Sequence, residues 1–194
     1  AHAYIDTKGA PIVIKADGLA AGKGVVVTTD RQVAIDHALQ CQRVVIEEYL
    51  AGPEISLFGI SDGRNIIPMQ PAQDFKRAHD NDAGPNTGGM GAYSPAPIVT
   101  DEINQKILDQ VMKPTMQGLI DEGSPYLGFL YAGLMIKNGE IKVLEFNCRF
   151  GDPETQPIMM RLKSSLVELC LDAIEDKLDT HQIEWSSKSA CGVV

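Results

Sequence analysis

The sequence predicts an α+β protein, and three observations lead to this fold class. Short, β-branched, apolar runs bounded by Gly, Pro and Asp recur along the chain and are typical of strands. Segments with apolar residues three and four positions apart indicate amphipathic helices among them. The dipeptide Asn138-Gly139 separates two apolar runs, which is the strongest short-range signal of a β-hairpin. Hairpins combined with separate helices characterise the α+β class.

The first fifty residues predict a small unit of three strands and one helix. The strands are expected at 11–15, 24–29 and 44–49. Asp30 is placed to cap a helix that runs to Gln40, because its carboxylate can accept hydrogen bonds from free N–H groups of the first turn. The inward face of this helix is predicted to carry Val33, Ala34, His37 and Ala38.

The rest of the chain predicts a larger unit. Its expected elements are strands at 54–60 and 65–69, a helix at 101–121 with a break near Pro114, hairpin strands at 128–137 and 140–147, and a helix at 164–178. The inward face of the last helix is expected to carry Leu166, Leu169, Cys170, Ala173 and Ile174. Residues 70–97 lack apolar periodicity and predict a long loop, for which a functional role is favoured over disorder.

Composition excludes several classes of protein. The 194 residues carry 17 basic and 26 acidic side chains, a net charge of -9, which disfavours nucleic acid as a partner. No apolar run approaches the roughly 20 residues that a transmembrane helix needs, so no membrane span is predicted. The four cysteines are scattered, which predicts a cytoplasmic protein with reduced, buried thiols rather than a disulfide framework or a zinc site.

The glycine-rich turn at 16–24 is the first candidate site. Its glycines, Gly22 among them, leave backbone N–H groups free, while Lys15 and Lys23 bring positive charge. Such a turn suits the phosphates of a nucleotide, although its spacing is not that of a Walker A loop. A plain solvated hairpin is the open alternative.

The second candidate is the end of the strand at 44–49. Glu47, Glu48, Tyr49 and Leu50 can offer backbone groups and apolar surface to an adenine ring, and Glu54 can accept hydrogen bonds from ribose hydroxyls. An edge strand with exposed acids explains the same residues without a ligand.

The long loop contains the third candidate. Glycines allow its backbone to lie against a ligand, and charges of both signs suit a zwitterionic or phosphorylated substrate. The candidate substrate residues are Asp74, Lys76, Asn86, Gly88, Gly89 and Gly91. A flexible glycine-rich tether is the alternative.

The segment 145–155 is the most informative. Residues two apart share one face of a strand, so Glu145 and Asn147 present a carboxylate and an amide oxygen suited to Mg²⁺, with Phe146 turned to the core. Arg149 can grip a terminal phosphate. The tight turn Gly151, Asp152, Pro153 leads into a helix starting near Glu154. A surface cluster of salt bridges is the alternative.

Five segments carry a family resemblance. In chain order these are ADGLAAGKGV, VVIEEYLAGPE, GPNTGGMGAYSP, GFLYAGLMI and EFNCRFGDPETQP. Together they resemble the phosphoribosylamine-glycine ligases, or glycinamide ribonucleotide synthetases, of the ATP-grasp superfamily. The resemblance covers essentially the whole chain, and RFGDPETQ is the part most specific to this ligase.

The resemblance implies an ATP-grasp fold, with subdomains at 1–49 and 50–194 that grip ATP between them. It implies that Lys15 lies at the phosphates, that 47–50 follow the adenine, that Glu54 meets the ribose, and that Glu145 and Asn147 hold Mg²⁺ or Mn²⁺. Asp74 and the 149–153 turn would bind glycine, and the 86–93 loop would line the phosphoribosylamine site. Lys15 and Arg149 would be the catalytic cations of an ATP-dependent ligase in purine biosynthesis that forms glycyl phosphate.

The sequence also departs from the family pattern. The resemblance leads us to expect a central fragment, without the family's N-terminal and C-terminal domains and without one ATP-contacting lysine. The stretch from the Asp30 helix to Val44 is shorter than the family's, so part of the nucleotide lid is expected to be missing. Ala132, Gly133 and Leu134 stand where many ATP-grasp enzymes have a second metal carboxylate. The isolated chain is expected to be inactive, and a parent chain fused to other purine-pathway domains is compatible with the resemblance. Another ATP-grasp carboxylate-amine ligase, or a nucleotide-binding module without catalysis, is the rival reading.

Overall fold

A computed structural model describes residues 1–18, 24–81, 83–180 and 182–194. The chain divides into two compact units. The first unit contains Ala1–Ala51 and Arg77–Gly88, and the second contains Gly52–Lys76 and Gly89–Val194. The assignment of functional subdomains to 1–49 and 50–194 stays a prediction.

The helices and strands follow one another along the chain. The first half contains α1 (His2–Lys8), β1 (Ile12–Ala16), β2 (Val25–Thr28), α2 (Arg31–Gln40), β3 (Val44–Glu48), β4 (Glu54–Asp62), β5 (Ile66–Pro68), β6 (Gln73–Asp74), β7 (Arg77–His79), β8 (Ala83–Asn86) and β9 (Gly91–Ser94). The second half contains α3 (Asp101–Ile107), a π-helical turn (Leu108–Met112), α4 (Lys113–Asp121), β10 (Leu127–Lys137), β11 (Glu140–Asn147), α5 (Thr155–Arg161), α6 (Leu166–Ile174), a 3₁₀ turn (Leu178–Thr180) and β12 (Ala190–Val193).

All the strand pairs are antiparallel. In the first unit the strands are ordered β2-β1-β3, with β7 and β8 as a separate hairpin. In the second unit a four-stranded sheet has the order β11-β10-β4-β5, and a three-stranded sheet has the order β12-β9-β6. These sheets and their helices confirm the predicted α+β class.

In the first unit, helix α2 packs on the three-stranded sheet. The Asp30 carboxylate accepts hydrogen bonds from the backbone N–H groups of Gln32 and Val33, which confirms the predicted cap. Ala34, Ile35 and Ala38 are buried with residues of β1. The prediction that Val33 faces inward is wrong, because Ile35 fills that place and Val33 is 46% exposed.

In the second unit, strand β4 is the buried centre. It is buried from Ile55 to Asp62, because β10 and β5 flank it and helices cover it. The largest apolar cluster packs Leu57 of β4 and Leu134 of β10 against Met112 in the π-helical turn. This cluster fixes the two strands that carry the candidate site.

The predicted hairpin of β10 and β11 is confirmed. Asn138 and Gly139 both have positive φ, 52° and 78°, as a two-residue hairpin turn requires. Gly133 faces Glu145, whereas Leu134 faces Val143, so Leu144 is one extra residue, a β-bulge. The extra residue shifts the register by one position. Residues of β11 after Leu144 therefore lie on the face opposite to the one that simple alternation from the hairpin turn predicts.

Several predicted elements need correction. The expected loop at 70–97 contains β6, β7, β8 and β9, which are too short to show a period. Pro114 does not break its helix, because it lies in the first turn of α4, directly after the π-helical turn. Helix α6 is shorter than predicted, and Ile174 is 67% exposed rather than inward. The sequence reasoning missed α1 and β12.

Two further expectations concern the state of the cysteine thiols and the presence of a membrane-spanning helix. All four cysteines are free thiols, as predicted. The expectation that they are buried is wrong, because Cys148 and Cys191 are exposed and the other two are half-buried. Within the described part of the chain, no helix has the length and apolar character needed to cross a membrane.

Candidate functional site

Glu145 and Asn147 lie side by side at the end of β11. The Asn147 side-chain amide donates a hydrogen bond to the Glu145 carboxylate, with 3.2 Å between Nδ2 and Oε1. The bulge at Leu144 places both residues opposite Gly133 and Tyr131 of β10. Phe146 lies opposite Ala132, yet it is 39% exposed rather than turned into the core, because β11 is the edge strand of its sheet.

This pair fits a magnesium ion. Mg²⁺ prefers oxygen ligands and keeps several waters, so one or two protein ligands plus substrate phosphates suffice. The carboxylate and the amide are adjacent and solvent-accessible on one face of the strand. Among the described residues, no group of three or more His, Cys, Asp or Glu side chains could hold a metal ion.

Gly133 leaves room for the Glu145 side chain. A Cβ atom at Gly133 would lie 3.2 Å from the Tyr131 ring and 3.3 Å from Cγ of Glu145, closer than most side chains tolerate. A carboxylate side chain at Gly133 itself would therefore crowd Glu145 and Tyr131. Because no second metal carboxylate is expected at 132–134, we predict that Glu145 either bridges two ions or holds one ion more weakly.

A group of buried and half-buried polar side chains occupies the second unit, and we call it the acidic cluster. Its members are Glu54, Ser56, Asp74, Lys76, Tyr131 and Glu154. Glu54 and Lys76 form an ion pair. Ser56 Oγ donates a hydrogen bond to Glu154 Oε1 over 2.7 Å, and it lies 3.0 Å from the Tyr131 hydroxyl oxygen. The cluster thus joins β4, β6, β10 and the start of α5.

The surroundings of Asp74 in the acidic cluster disfavour its negative charge. The pKa of Asp74 is raised to about 7, mainly by burial and also by the Glu154 and Glu54 carboxylates, while the Lys76 ammonium opposes the rise. Its Oδ1 atom is buried, and no described residue forms a hydrogen bond with it. A buried carboxylate oxygen without a partner is costly, so this atom is ready for a hydrogen-bond donor or a cation.

Gly89, a predicted substrate residue, lies between Asp74 and Pro153. Gly89 has a φ of +117°, and a Cβ atom there would lie 2.5 Å from Cδ of Pro153 and 3.1 Å from Oδ1 of Asp74. A side chain at Gly89 would therefore occupy the space beside the unpartnered oxygen. The structure brings Asp74, Gly89 and the Gly151–Pro153 turn together.

Other predicted substrate residues have different surroundings. Gly91 pairs with β12, where a side chain would meet the carbonyl oxygen of Gly192, so sheet pairing alone explains this glycine. Asn86 and Gly88 belong to the first unit, where Asn86 faces Arg77 in the hairpin. Asp152 is exposed. Substrate contact by these residues stays a prediction.

Arg149 is exposed at the end of β11. Its guanidinium donates a hydrogen bond to the carbonyl oxygen of Phe150 over 2.8 Å. The strand itself ends at Asn147, so Arg149 lies in the loop that follows rather than on the strand face. Its role at a phosphate stays a prediction.

The predicted nucleotide residues of the first unit lie on its central strand β1 and along the end of the edge strand β3. Lys15 in β1 forms an ion pair with Glu47 in β3, with 2.7 Å between Nζ and Oε2. A cavity of about 630 Å³ borders Glu47, Glu48 and Tyr49 at the end of β3. Leu50 follows this strand directly. Gly22 and Lys23 lie outside the described residues.

Sequence reasoning missed three members of the acidic cluster, Ser56, Tyr131 and Glu154. One signal was available, since Ser56 lies two residues after Glu54 and shares its face of β4. For Tyr131 and Glu154 no local signal existed, because their contacts with Ser56 span 75 and 98 residues.

Comparison with known proteins agrees with this geometry. Residues 1–155 match the family described as "Phosphoribosylglycinamide synthetase, ATP-grasp (A) domain". A phosphoribosylamine-glycine ligase of Vibrio parahaemolyticus is 55% identical over 205 residues, covering 100% of this chain and 48% of the relative. The chain therefore spans about half the length of the curated relatives that it matches.

Solved structures show the same fold. The crystal structure of a phosphoribosylamine-glycine ligase from Thermotoga maritima has a TM-score of 0.87 at 35% identity, covering 99% of this chain and 51% of that one. The biotin carboxylase domain of a Hydrogenobacter thermophilus 2-oxoglutarate carboxylase has a TM-score of 0.70 at 16% identity, covering 98% of this chain and 42% of that one. The predicted ATP-grasp fold is confirmed, and the chain belongs to the phosphoribosylglycinamide synthetase family, whose ATP-grasp domain it carries.

Proposed function

We propose that this chain is the ATP-handling part of a ligase that joins glycine to 5-phosphoribosylamine, giving glycinamide ribonucleotide, ADP and phosphate. One observation carries the proposal. The buried Asp74 Oδ1 atom, which has no hydrogen-bond partner among the described residues, lies beside Gly89, which also adjoins Pro153, and we assign the substrate ammonium group to this oxygen. The relatives that share this sequence are named phosphoribosylamine-glycine ligases.

The nucleotide contacts are proposed as follows. Lys15 neutralises phosphate charge, the backbone at 47–50 contacts the adenine, and Glu54 contacts the ribose. The cavity beside Glu47, Glu48 and Tyr49 supports the adenine assignment. Glu145 and Asn147 hold Mg²⁺ or Mn²⁺, which when bound neutralises phosphate charge and aligns the phosphates for transfer.

The chemistry requires positioning rather than a protein nucleophile. A glycine carboxylate oxygen forms a bond to the γ-phosphorus as the bond to ADP breaks, giving glycyl phosphate. The amine of phosphoribosylamine then attacks the carbonyl carbon, phosphate leaves, and the nitrogen loses a proton. Asp74 holds the glycine ammonium away from the reacting carboxylate, and Arg149 and Lys15 supply positive charge where phosphate charge develops.

The remaining assignments complete the proposal. The phosphoribosylamine site is lined by Asn86, Gly88, Gly89 and Gly91. Glycine binding is supported by Lys76, Gly151, Asp152 and Pro153. A cytoplasmic location accords with four free thiols.

The full-length ligase is a chain of the relatives' length that contains this sequence.

The decisive test is phosphate release by the full-length ligase. Release should require ATP, glycine and phosphoribosylamine together, and the product should contain one glycyl amide. Release with another carboxylate-amine pair would instead identify a different ATP-grasp ligase. Nucleotide binding without any release across a substrate panel would indicate a binding module.

The isolated 194-residue chain is expected to show no turnover and only weak ATP binding. The chain spans about half of its relatives' length, and we infer that the other half completes the active site. Calorimetric titration with ATP and Mg²⁺, together with the same phosphate assay, checks this. Turnover by the isolated chain at the rate of the full-length ligase would contradict the prediction.

A further inference from the structure

Glu154 is a buried carboxylate that the proposed chemistry does not use. It is only 2% exposed, and it stands at the N-cap position of α5. An N-cap carboxylate usually accepts hydrogen bonds from its own helix, but the Glu154 side chain makes no such bond. It reaches instead to Ser56 on β4, 98 residues earlier in the chain. The position therefore serves something other than helix capping.

A chain of hydrogen bonds holds the Glu154 carboxylate. Ser56 has one hydroxyl hydrogen, which it donates to Glu154, so the Tyr131 hydroxyl supplies the hydrogen of the bond between Tyr131 and Ser56. Both hydrogens thus point toward the carboxylate. The chain therefore ties the Glu154 side chain to β4 and β10.

The Gly151–Pro153 turn is built around Glu154. A Cβ atom at Gly151 would overlap the Glu154 carboxyl group, so only glycine leaves space for it. Pro153, which precedes Glu154, lies against Gly89 beside Asp74. Moving the Glu154 side chain would therefore move the turn that borders the Asp74 oxygen.

The charges of the acidic cluster do not balance. Glu54, Asp74 and Glu154 are carboxylates, whereas Lys76 is the one cation among the cluster members, and it is paired with Glu54. Buried charges are normally paired. The remaining negative charge of Asp74 and Glu154 suits one further cation beside Asp74 Oδ1, such as the ammonium group of a small amino acid.

We propose that Glu154, held by Ser56 and Tyr131, is a positioning residue of the amino-acid subsite. It fixes the Gly151–Pro153 turn beside Asp74, and its charge strengthens the hold of Asp74 on the substrate ammonium. This inference rests on the proposed function, because it assigns Glu154 to the glycine step. The proposal gives Glu154 no contact with the reacting atoms or with the nucleotide.

The test is Glu154→Gln in the full-length ligase, which preserves the shape and the acceptor for Ser56 but removes the charge. The expected result is a fall in kcat/KM for glycine of about 10-fold, with KM for ATP unchanged. The charges facing Asp74 are Glu154, Glu54 and Lys76. Removing the Glu154 charge lowers the pKa of Asp74, so the acid limb of the pH profile of kcat/KM for glycine should move to lower pH.

Two further variants sharpen the result. Tyr131→Phe removes only the hydrogen bond to Ser56 and should raise KM for glycine about threefold, and it decides the question if Glu154→Gln fails to fold. Glu168→Gln on the exposed face of α6 is the matched control and should behave as the parent. The inference would be overturned if Glu154→Gln left both the KM for glycine and the acid limb of the pH profile unchanged. If Glu154→Gln does not fold, an unchanged KM for glycine in Tyr131→Phe would overturn it.

The same assay separates this inference from the proposed function. If the parent ligase releases phosphate in response to glycine, the proposed function stands whatever Glu154→Gln does. If the parent shows no response to glycine, the proposed function fails, and the inference about Glu154 fails with it.

Discussion

Replacing Glu145 with glutamine in the full-length ligase is expected to lower kcat by a factor of about 10² to 10³. Glutamine keeps the shape but removes the negative charge from the pair that Glu145 forms with Asn147. Loss of one group that stabilises the charge of a transition state typically lowers kcat by a factor of about 10² to 10³. Steady-state phosphate release at saturating ATP, glycine and phosphoribosylamine measures the effect.

Glu140→Gln is the matched control for this prediction. Glu140 lies exposed at the start of the same strand, seven residues from Asn147 and beside the hairpin turn. Its loss should leave kcat within about twofold of the parent value. If Glu145→Gln weakened ATP binding but left kcat intact, the pair would serve nucleotide affinity alone, as in a binding module, and the catalytic assignment would be wrong.

Replacing Asp74 with asparagine should have opposite effects on activity and on stability. Activity should fall, with kcat/KM for glycine about 100-fold lower, because a buried ammonium would lose its charged partner. Stability of the empty protein above pH 7 should rise. Below pH 7 the parent should also lose activity toward glycine as Asp74 gains its proton.

The sign of the stability change follows from the raised pKa. In the unfolded chain Asp74 loses its proton near the ordinary value of 3.8, whereas in the folded protein it does so at about 7. The folded state therefore binds the extra proton, and the free energy of unfolding falls as the pH rises from about 4 to 7. Asparagine does not titrate, so the variant avoids this fall in the free energy of unfolding. Its melting temperature should exceed that of the parent at pH 8 and match that of the parent near pH 4.

Thermal unfolding without substrates at pH 4, 6 and 8 checks the stability half of this prediction. Asp179→Asn, an exposed aspartate in the same unit, is the control and should follow the parent at every pH. A variant of Asp74 that unfolds at a lower temperature than the parent at pH 8 would mean that the carboxylate is already satisfied in the folded protein.

The features predicted correctly from the sequence are those with local causes. Asp30 accepts its hydrogen bonds two and three residues away, and Asn138-Gly139 forms its turn without help from the rest of the chain. Glu145 and Asn147 adjoin because they lie two apart on one strand. Short-range geometry fixes all three, so pattern and residue type suffice to find them.

The features that were missed have distant or irregular causes. Strands β6 to β9 are two to four residues long, which is too short for a period to emerge. The bulge at Leu144 leaves no mark in the residue pattern, although it decides which face of β11 carries Glu145. The contacts of Glu154 and Tyr131 depend on how four separate segments meet, and no spacing rule relates those positions.

The hydrogen-bond chain through Tyr131, Ser56 and Glu154 has a consequence for the order of folding. Its two links close loops of 75 and 98 residues, and such closures are entropically costly and slow compared with hairpins. A growing chain can complete the amino-acid subsite only after Glu154 has left the ribosome. The proposed amino-acid subsite is therefore incomplete in any earlier, shorter form of the chain, because β4, β10 and α5 have not yet been joined.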